Sequence, residues 1–461
     1  MQRNFGCQYM GYQCLGFLSL VLSLTMPGMA QEKKFQSVVE KGQELFRHKW
    51  TPQDERSKNG DGLGPMFNAR SCAQCHPKGG GEGREFNVQL LSIRHKTGKK
   101  LTRIPEPLNR LMPFFEVGGE QTVILHKNST DEAYNHARRE LLDLNPPPNL
   151  PKHREKLWLN KQSKKRASQP ATRVIKRYKE VELIVSERNT PALFGGDLID
   201  RIPENEFHRL VKIQTQDRDG ISGRVSVALD GNVGKFGWRG QTSSLAEFVK
   251  GACAAELGLQ TPTQLQNQNP FAPQTTLPGF DMSLEDLDIM TTFVKSLERP
   301  VHRRDEDLSA TTRFGKEIFR KVDCAKCHVE NVGDVRGLYS DLLLHDMGKG
   351  LADPLPAMPE VEFFQRQVLS GGGGYFGSGI FTVTERRRKV STNIMQEWRT
   401  PPLWGAAESA PYLHDGRAAT FGDAIMLHGG EAQNSVAKFK RLSRSEQAAL
   451  IHFLKSLRVK G

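Results

Sequence analysis

No apolar run in the sequence is long enough to cross a bilayer. The segment LGFLSLVLSL (15–24) offers about ten apolar residues where a spanning helix needs roughly 20, and no later stretch meets that need. Arg3 ahead of the run, and PGMA ending at Ala30 before the polar QEKK, read instead as a secretory leader over residues 1–30. The expected location is periplasmic or otherwise exported. Cysteine is scarce for an exported chain: of seven, Cys7 and Cys14 fall in the leader, leaving Cys72, Cys75, Cys253, Cys324 and Cys327. That excludes a disulfide framework. Acidic side chains run short mainly in one place. Residues 152–179 carry eleven Lys or Arg against Glu155 alone, and so hold most of the net charge of +13. This segment follows the stiff NPPPNLP (145–151) and reads as an exposed basic insertion over about 145–180, either a solvated loop or a docking surface for an acidic redox partner or an anionic surface. No recognisable nucleic-acid module accompanies the charge, which argues against that class of partner.

What the chain does contain is a pair of matching constellations, CAQCH (72–76) and CAKCH (324–328). Chance placement of seven Cys and thirteen His would give roughly 0.003 such Cys-x-x-Cys-His pentads. A structural zinc wants four tetrahedral ligands, and a His abutting the second Cys suits that geometry poorly. A redox dithiol needs no His there. Covalent haem needs all three groups: the thiols add to the vinyl groups and the adjacent imidazole ligates iron. Cys72, Cys75 and His76 are expected to hold haem one, and Cys324, Cys327 and His328 haem two, as two covalently bound c-type haems.

The pentads sit in a chain that reads as if written twice. GQELFR (42–47) matches GKEIFR (315–320), and TPALFG (190–195) matches TPPLWG (400–405). WRGQTSSLAEFVKG (238–251) then matches HDGRAATFGDAIML (414–427), each with a capping-box start at Ser244-x-x-Glu247 or Thr420-x-x-Asp423. The helical patterns at 282–297 and 442–457 form the last pair. The expected fold is mainly α: two cytochrome c-like domains in tandem, 31–300 and 301–461, joined within ERPVHRRDEDLS (298–309), with long loop insertions in the first. The repeats differ at one telling position. His428 ends a short helix before Gly-Gly, where the first repeat has Ala252, so it reads either as a capping or surface residue or as a second iron ligand that only haem two would have.

Five stretches carry a family resemblance: GLGPMFNARSCAQCH (62–76), NTPALFGGDLIDRIPENEF (189–207), KFGWRGQTSSLAEFVKGACAAELG (235–258), YSDLLLHDMGKGLAD (339–353) and RTPPLWGAAESAPYLHDGRAATFGDAIMLHGGEA (399–432). They resemble the di-haem cytochrome c peroxidases and their relatives that mature methylamine dehydrogenase, and among these the di-haem oxidoreductases sometimes labelled thiol oxidoreductases. The resemblance implies that electrons enter at the C-terminal haem and that peroxide is reduced at the N-terminal one. The distal Met of the peroxidases falls at His428, which implies a bis-His haem two of lower potential. Trp238 matches a Trp that lies between the haems, as core packing, as an electron conduit or as both. Glu256 reads either as a solvated helix-end carboxylate or, with two departures, as the match for the carboxylate that moves a proton between peroxide oxygens. Two fewer residues separate it from Trp238, and Phe248 stands where the peroxidases have Gln. A removable His over haem one has four candidates, His95, His126, His136 and His208. His345 and His414 fall in family motifs and are expected to pack on haem or to bond its propionates. The family further implies a calcium ion, a small redox donor such as a cytochrome c or cupredoxin, and peroxide or another small oxidant.

Outside those motifs, Cys253 reads as a small buried apolar residue and GGGGYFGSG (371–379) as a flexible loop. Three functions compete: peroxide reduction, oxidation of an organic or protein substrate through a high-valent haem, and electron transfer alone. A thiol oxidoreductase is excluded if the four paired cysteines carry haem, because those thiols are then thioethers.

Overall fold

A long helix precedes each pentad and crosses a later helix at a glycine. In the computed structural model the residues described are 27–459, except 82–85, 98, 100, 102, 116–121, 145–149, 152, 155–156, 159–160, 162–169, 274–278, 299–304 and 354–393. Most of the expected leader, much of the basic insertion, half of the expected domain junction and GGGGYFGSG lie outside the described residues. The helix Pro27–Arg47 packs on Leu284–Ser296, and Ala310–Lys321 packs on Arg444–Ser456. A Cβ added to Gly42 would lie 2.5 Å from Phe293 Cβ, and one added to Gly315 would lie 2.8 Å from Phe453 Cβ and 2.7 Å from the Ala449 carbonyl carbon. Both crossings therefore need hydrogen in place of a side chain. Gly315→Ala should cost about 1–3 kcal/mol through overpacking, read as a lower thermal midpoint by circular dichroism at 222 nm, roughly where helical signal is strongest.

One of the two capping boxes expected from sequence forms in full, the other forms by half, and two boxes that were not expected form beside them. Thr420 and Asp423 make a reciprocal capping box at Phe421–Leu427, as do Ser283 with Asp286 and Ser443 with Glu446. At Leu245–Leu257, Ser244 accepts from the Glu247 amide. The two Thr-Pro loops meet face to face. Gly195 and Gly405 have φ of +65° and +68°, and a Cβ on either would strike Trp404 or Phe194, at 2.6 and 2.7 Å. Each aromatic thus covers the other loop's glycine, which brings residues 190–195 against 400–405.

The expectation of helices joined by loop insertions needs correction. Between the first pentad and Trp238 the chain forms a four-stranded antiparallel sheet in the order Thr122–Ile124, Val88–His95, Val181–Arg188, Arg173–Tyr178. With the helices Glu106–Leu111 and Glu132–Leu141 it has its own core, in which Leu91, Leu108, Met112, Phe115, Tyr134 and Leu183 are fully buried. VQLLSIRH and VELIVSER escaped notice because both faces are covered, so the apolar–polar alternation of a half-exposed strand is missing. The basic insertion is corrected in part too. Its end, Arg173–Tyr178, is an edge strand whose register shifts between Val174 and Lys176, which breaks the two-residue period. Its cations face carboxylates across the sheet, Arg177 to Glu182 at 3.0 Å and Arg173 to Glu187 at 3.5 Å.

Candidate functional site

Each pentad opens on its own cavity, and the two cavities share a wall. Cys72–Cys75 forms a single helical turn capped by His76, whose amide bonds the Cys72 carbonyl at 3.0 Å. The imidazole Nδ1 lies 3.1 Å from the Gly80 carbonyl. A carbonyl only accepts, so Nδ1 carries the proton and Nε2 keeps its lone pair. Burial pushes His76 down to about 4, with the Gly80 bond opposing. Its cavity, about 940 Å³ counted to the open mouth, is lined by Cys72, Cys75, His76, Trp238, Phe248 and Glu256 among others.

Glu256 is the titratable carboxylate in that lining. It is half-buried, with its accessible side toward the cavity. Burial pushes its pKa up to about 7, against the Asn68 hydrogen bond and the charge of Lys127. The solvated helix-end reading of this residue does not describe its setting. Asn68 and Lys127 were missed as its neighbours, since neither shows a spacing signal relative to position 256. Lys127 is itself pushed down to about 8 by burial, with Cys75, Glu187 and Glu256 opposing.

The second pentad turns through Cys324–Lys326 and ends at His328, whose Nδ1 lies 3.0 Å from the Tyr339 carbonyl. His428 is the C-cap of Phe421–Leu427, and its Nδ1 lies 2.7 Å from the Ala424 carbonyl. The tautomer argument holds for both rings. Cys324, Cys327, His328 and His428 line one cavity of about 2130 Å³ counted to its open mouth. Burial pushes His328 down to about 4, and His428 adds to the shift, so the two rings feel one another across the space. Burial lowers His428 as well.

Trp238 belongs to both linings, with Asn189, Leu193, Gly237 and Phe248. Its Nε1 donates to the Asn189 carbonyl at 2.9 Å, and its own carbonyl accepts from the Arg399 amide at 2.9 Å. These bonds fix the indole as a partition. Beside it, Trp398 stacks on His414 at 3.6 Å, with the Arg239 guanidinium 4.2 Å from the indole centroid. Burial, with Arg188, Arg417 and Arg239 adding, holds His414 well below the usual imidazole range.

The residues fit haem on two counts. Three imidazoles each spend Nδ1–H on a backbone carbonyl, the arrangement that orients a histidine for iron through Nε2. Arg399, which lines the larger cavity, is buried, and its Nη1 has no hydrogen-bond partner; a haem propionate would supply an anion for it. Burial pushes that guanidinium down to about 10.

Other expectations separate here. His95, His126, His136 and His208 do not line the first cavity as described. His126 is buried but turns Nε2 to the Ala255 carbonyl at 2.9 Å, and His95 takes up Thr97 at 2.8 Å. His345 lines the second cavity, but propionate bonding is excluded because both ring nitrogens are used, by Asp341 at 2.9 Å and Glu431 at 2.7 Å. Burial opposes its charge, and Asp341 and Cys327 outweigh burial and raise it well above the usual range. Cys253 is buried with Sγ 3.9 Å from Met290 Sδ, and burial pushes its thiol up to about 12, as an inert apolar residue requires.

Parts of the chain are similar to known proteins. Residues 382–457 match the family described as "Di-haem oxidoreductase, putative peroxidase". The chain is 27% identical over 192 residues to the gamma subunit of hydrazine synthase from Kuenenia stuttgartiensis, a match covering 39% of this chain and 52% of the relative, so it spans about half of that protein. Among solved structures, hydrazine synthase of the same organism under xenon pressure has a TM-score of 0.31 at 22% identity, covering 59% of this chain and 73% of that one. A MauG-like protein associated with microbial copper homeostasis has a TM-score of 0.24 at 19% identity, covering 38% and 53%. No helix among the described residues is long and apolar enough to cross a membrane.

Proposed function

We propose that this chain, a member of the di-haem oxidoreductase family, is an exported peroxidase-like enzyme with two unequal c-type haem sites. The observation that carries the reading is the contrast between cavities: His328 and His428 both line one, while His76 shares the other with Glu256. Cys72 and Cys75 would anchor one haem with His76 on iron, and Cys324 and Cys327 the other between His328 and His428. Haem so held supplies an iron that exchanges electrons and accepts a small oxygen ligand. Electrons from a small donor protein would enter on the His328 and His428 side and pass Trp238 to reach the His76 side. There peroxide takes up two electrons and two protons and leaves as two waters. Glu256, ionised, accepts a proton from one peroxide oxygen and returns it to the oxygen that departs. Phe248 and Trp238 keep that space apolar, which holds the carboxyl near neutrality.

The matched glycine crossings at Gly42 and Gly315 support reading 31–300 and 301–461 as tandem cytochrome c-like units. For the calcium ion, the unpartnered Oδ1 of Asn189, beside the Pro411 carbonyl that its amide nitrogen approaches at 2.5 Å, is an available oxygen donor. The test uses the purified holoprotein. Its mass should exceed that of the mature chain by two haems, and half-reduced protein should consume peroxide while the spectrum of one haem changes. Two haems with no response to peroxide, and both irons six-coordinate in every state, would leave electron transfer alone. Peroxide consumption only when an organic or protein substrate is oxidised would transfer the assignment to that second activity.

A further inference from the structure

The loop before the first pentad holds Glu256 at two points through one residue, by a backbone amide and by a side chain. Asn68 is buried, four positions ahead of Cys72. Its backbone amide donates to the Glu256 carbonyl at 2.8 Å, and its Nδ2 donates to Glu256 Oε2 at 2.9 Å. Its Oδ1 accepts from the Lys127 amide at 3.1 Å, and its carbonyl accepts from Asn128 Nδ2 at 3.3 Å. The Lys127 bond decides the amide orientation: an N–H must meet the oxygen, so the NH₂ must face the carboxylate. We propose that Asn68 is the positioning residue of Glu256, aiming its carboxylate into the first cavity and favouring its ionised form.

The inference rests on the proton-transfer reading of Glu256. A hydrogen bond donated to a carboxylate stabilises the charged state, so it lowers the pH at which the group becomes a base. The charged group that faces Glu256 is Lys127, from the strand Asn128–Ser129 side, with Glu187 acting on Lys127; Cys72, from the pentad, lies near it too, and as a haem thioether would not titrate. Burial otherwise raises this carboxyl, and Asn68 is the hydrogen-bond donor opposing that rise.

The experiment measures peroxide reduction against pH in the holoprotein. Asn68→Asp keeps the oxygen that accepts from Lys127 and removes the donor to Glu256. It should move the rising pH limb upward by about one to two units and slow turnover at neutral pH by roughly tenfold or more. Combined with Glu256→Gln, it should add no further loss. If Asn68→Asp does not fold with both haems, Asn68→Ala, which removes the donor without adding charge, is read for the same upward shift. A limb left in place, a loss equal at every pH, or an additional loss on the Glu256→Gln background would overturn the inference. Failure of the Glu256 reading is separate: Glu256→Gln alone would then keep the wild-type limb.

Discussion

Glu256→Gln is expected to slow peroxide reduction by about 10²–10⁴-fold, the usual weight of a positioned proton-transfer group, while the protein keeps both haems. Gln has the same shape, and its amide oxygen still accepts from Asn68 Nδ2, which now reaches Glu256 at 2.9 Å. What it loses is the ability to take a proton. The sign of the pH dependence follows from the raised pKa. Burial pushes Glu256 to about 7, so at lower pH the carboxyl is protonated and cannot act as base. The rate should rise with pH through about 7 and level off above it. In Glu256→Gln that limb should vanish, leaving a slow and nearly flat profile. Stopped-flow kinetics at several pH values, with haem content checked by pyridine haemochrome, measure both. A variant with the wild-type rate and the wild-type limb would remove Glu256 from the chemistry.

His428→Ala should convert one haem from six- to five-coordinate while leaving the other unchanged. His428 sits at a helix C-cap where the Ala424 carbonyl takes its Nδ1 proton at 2.7 Å, and it shares a cavity with His328. Burial holds both rings neutral at neutral pH, His328 with a pKa of about 4, so both lone pairs are available to iron. Electron paramagnetic resonance of the oxidised protein should lose the low-spin signal of that haem almost completely, with a high-spin signal in its place. Added imidazole should restore the low-spin form. Electron uptake from a donor protein should slow as well, because ligand rearrangement on reduction then adds to the barrier. A low-spin signal that persists unchanged would show that another side chain holds the sixth position.

The pentads are legible in the sequence because the covalent haem attachment proposed for them is a local demand. Two thiols and an imidazole must fall within one turn, so their order along the chain carries the chemistry. His428 was accessible for a similar reason, since its value lay in the contrast with Ala252 at the matched position. The sheet between Val88 and Arg188 was not legible, because strands covered on both faces lose their alternation. Arg399 and Asn189 gave no local signal either. Their interest lies in single atoms, Nη1 and Oδ1, that burial leaves without partners.

Sequence alone supplied the motifs from which the proposed haem chemistry is read: two Cys-x-x-Cys-His pentads, one further His, and no long apolar span. The tertiary structure decided how the remaining residues are used. It set Trp238 in a wall common to both cavities, and it gave Glu256 its raised proton affinity by burying it, against the opposing hydrogen bond from Asn68, a residue 188 positions away. The division has a physical cause. Covalent and coordinate bonds act over a few ångströms between near neighbours in the chain, whereas desolvation depends on everything packed around a group, wherever in the chain it originates.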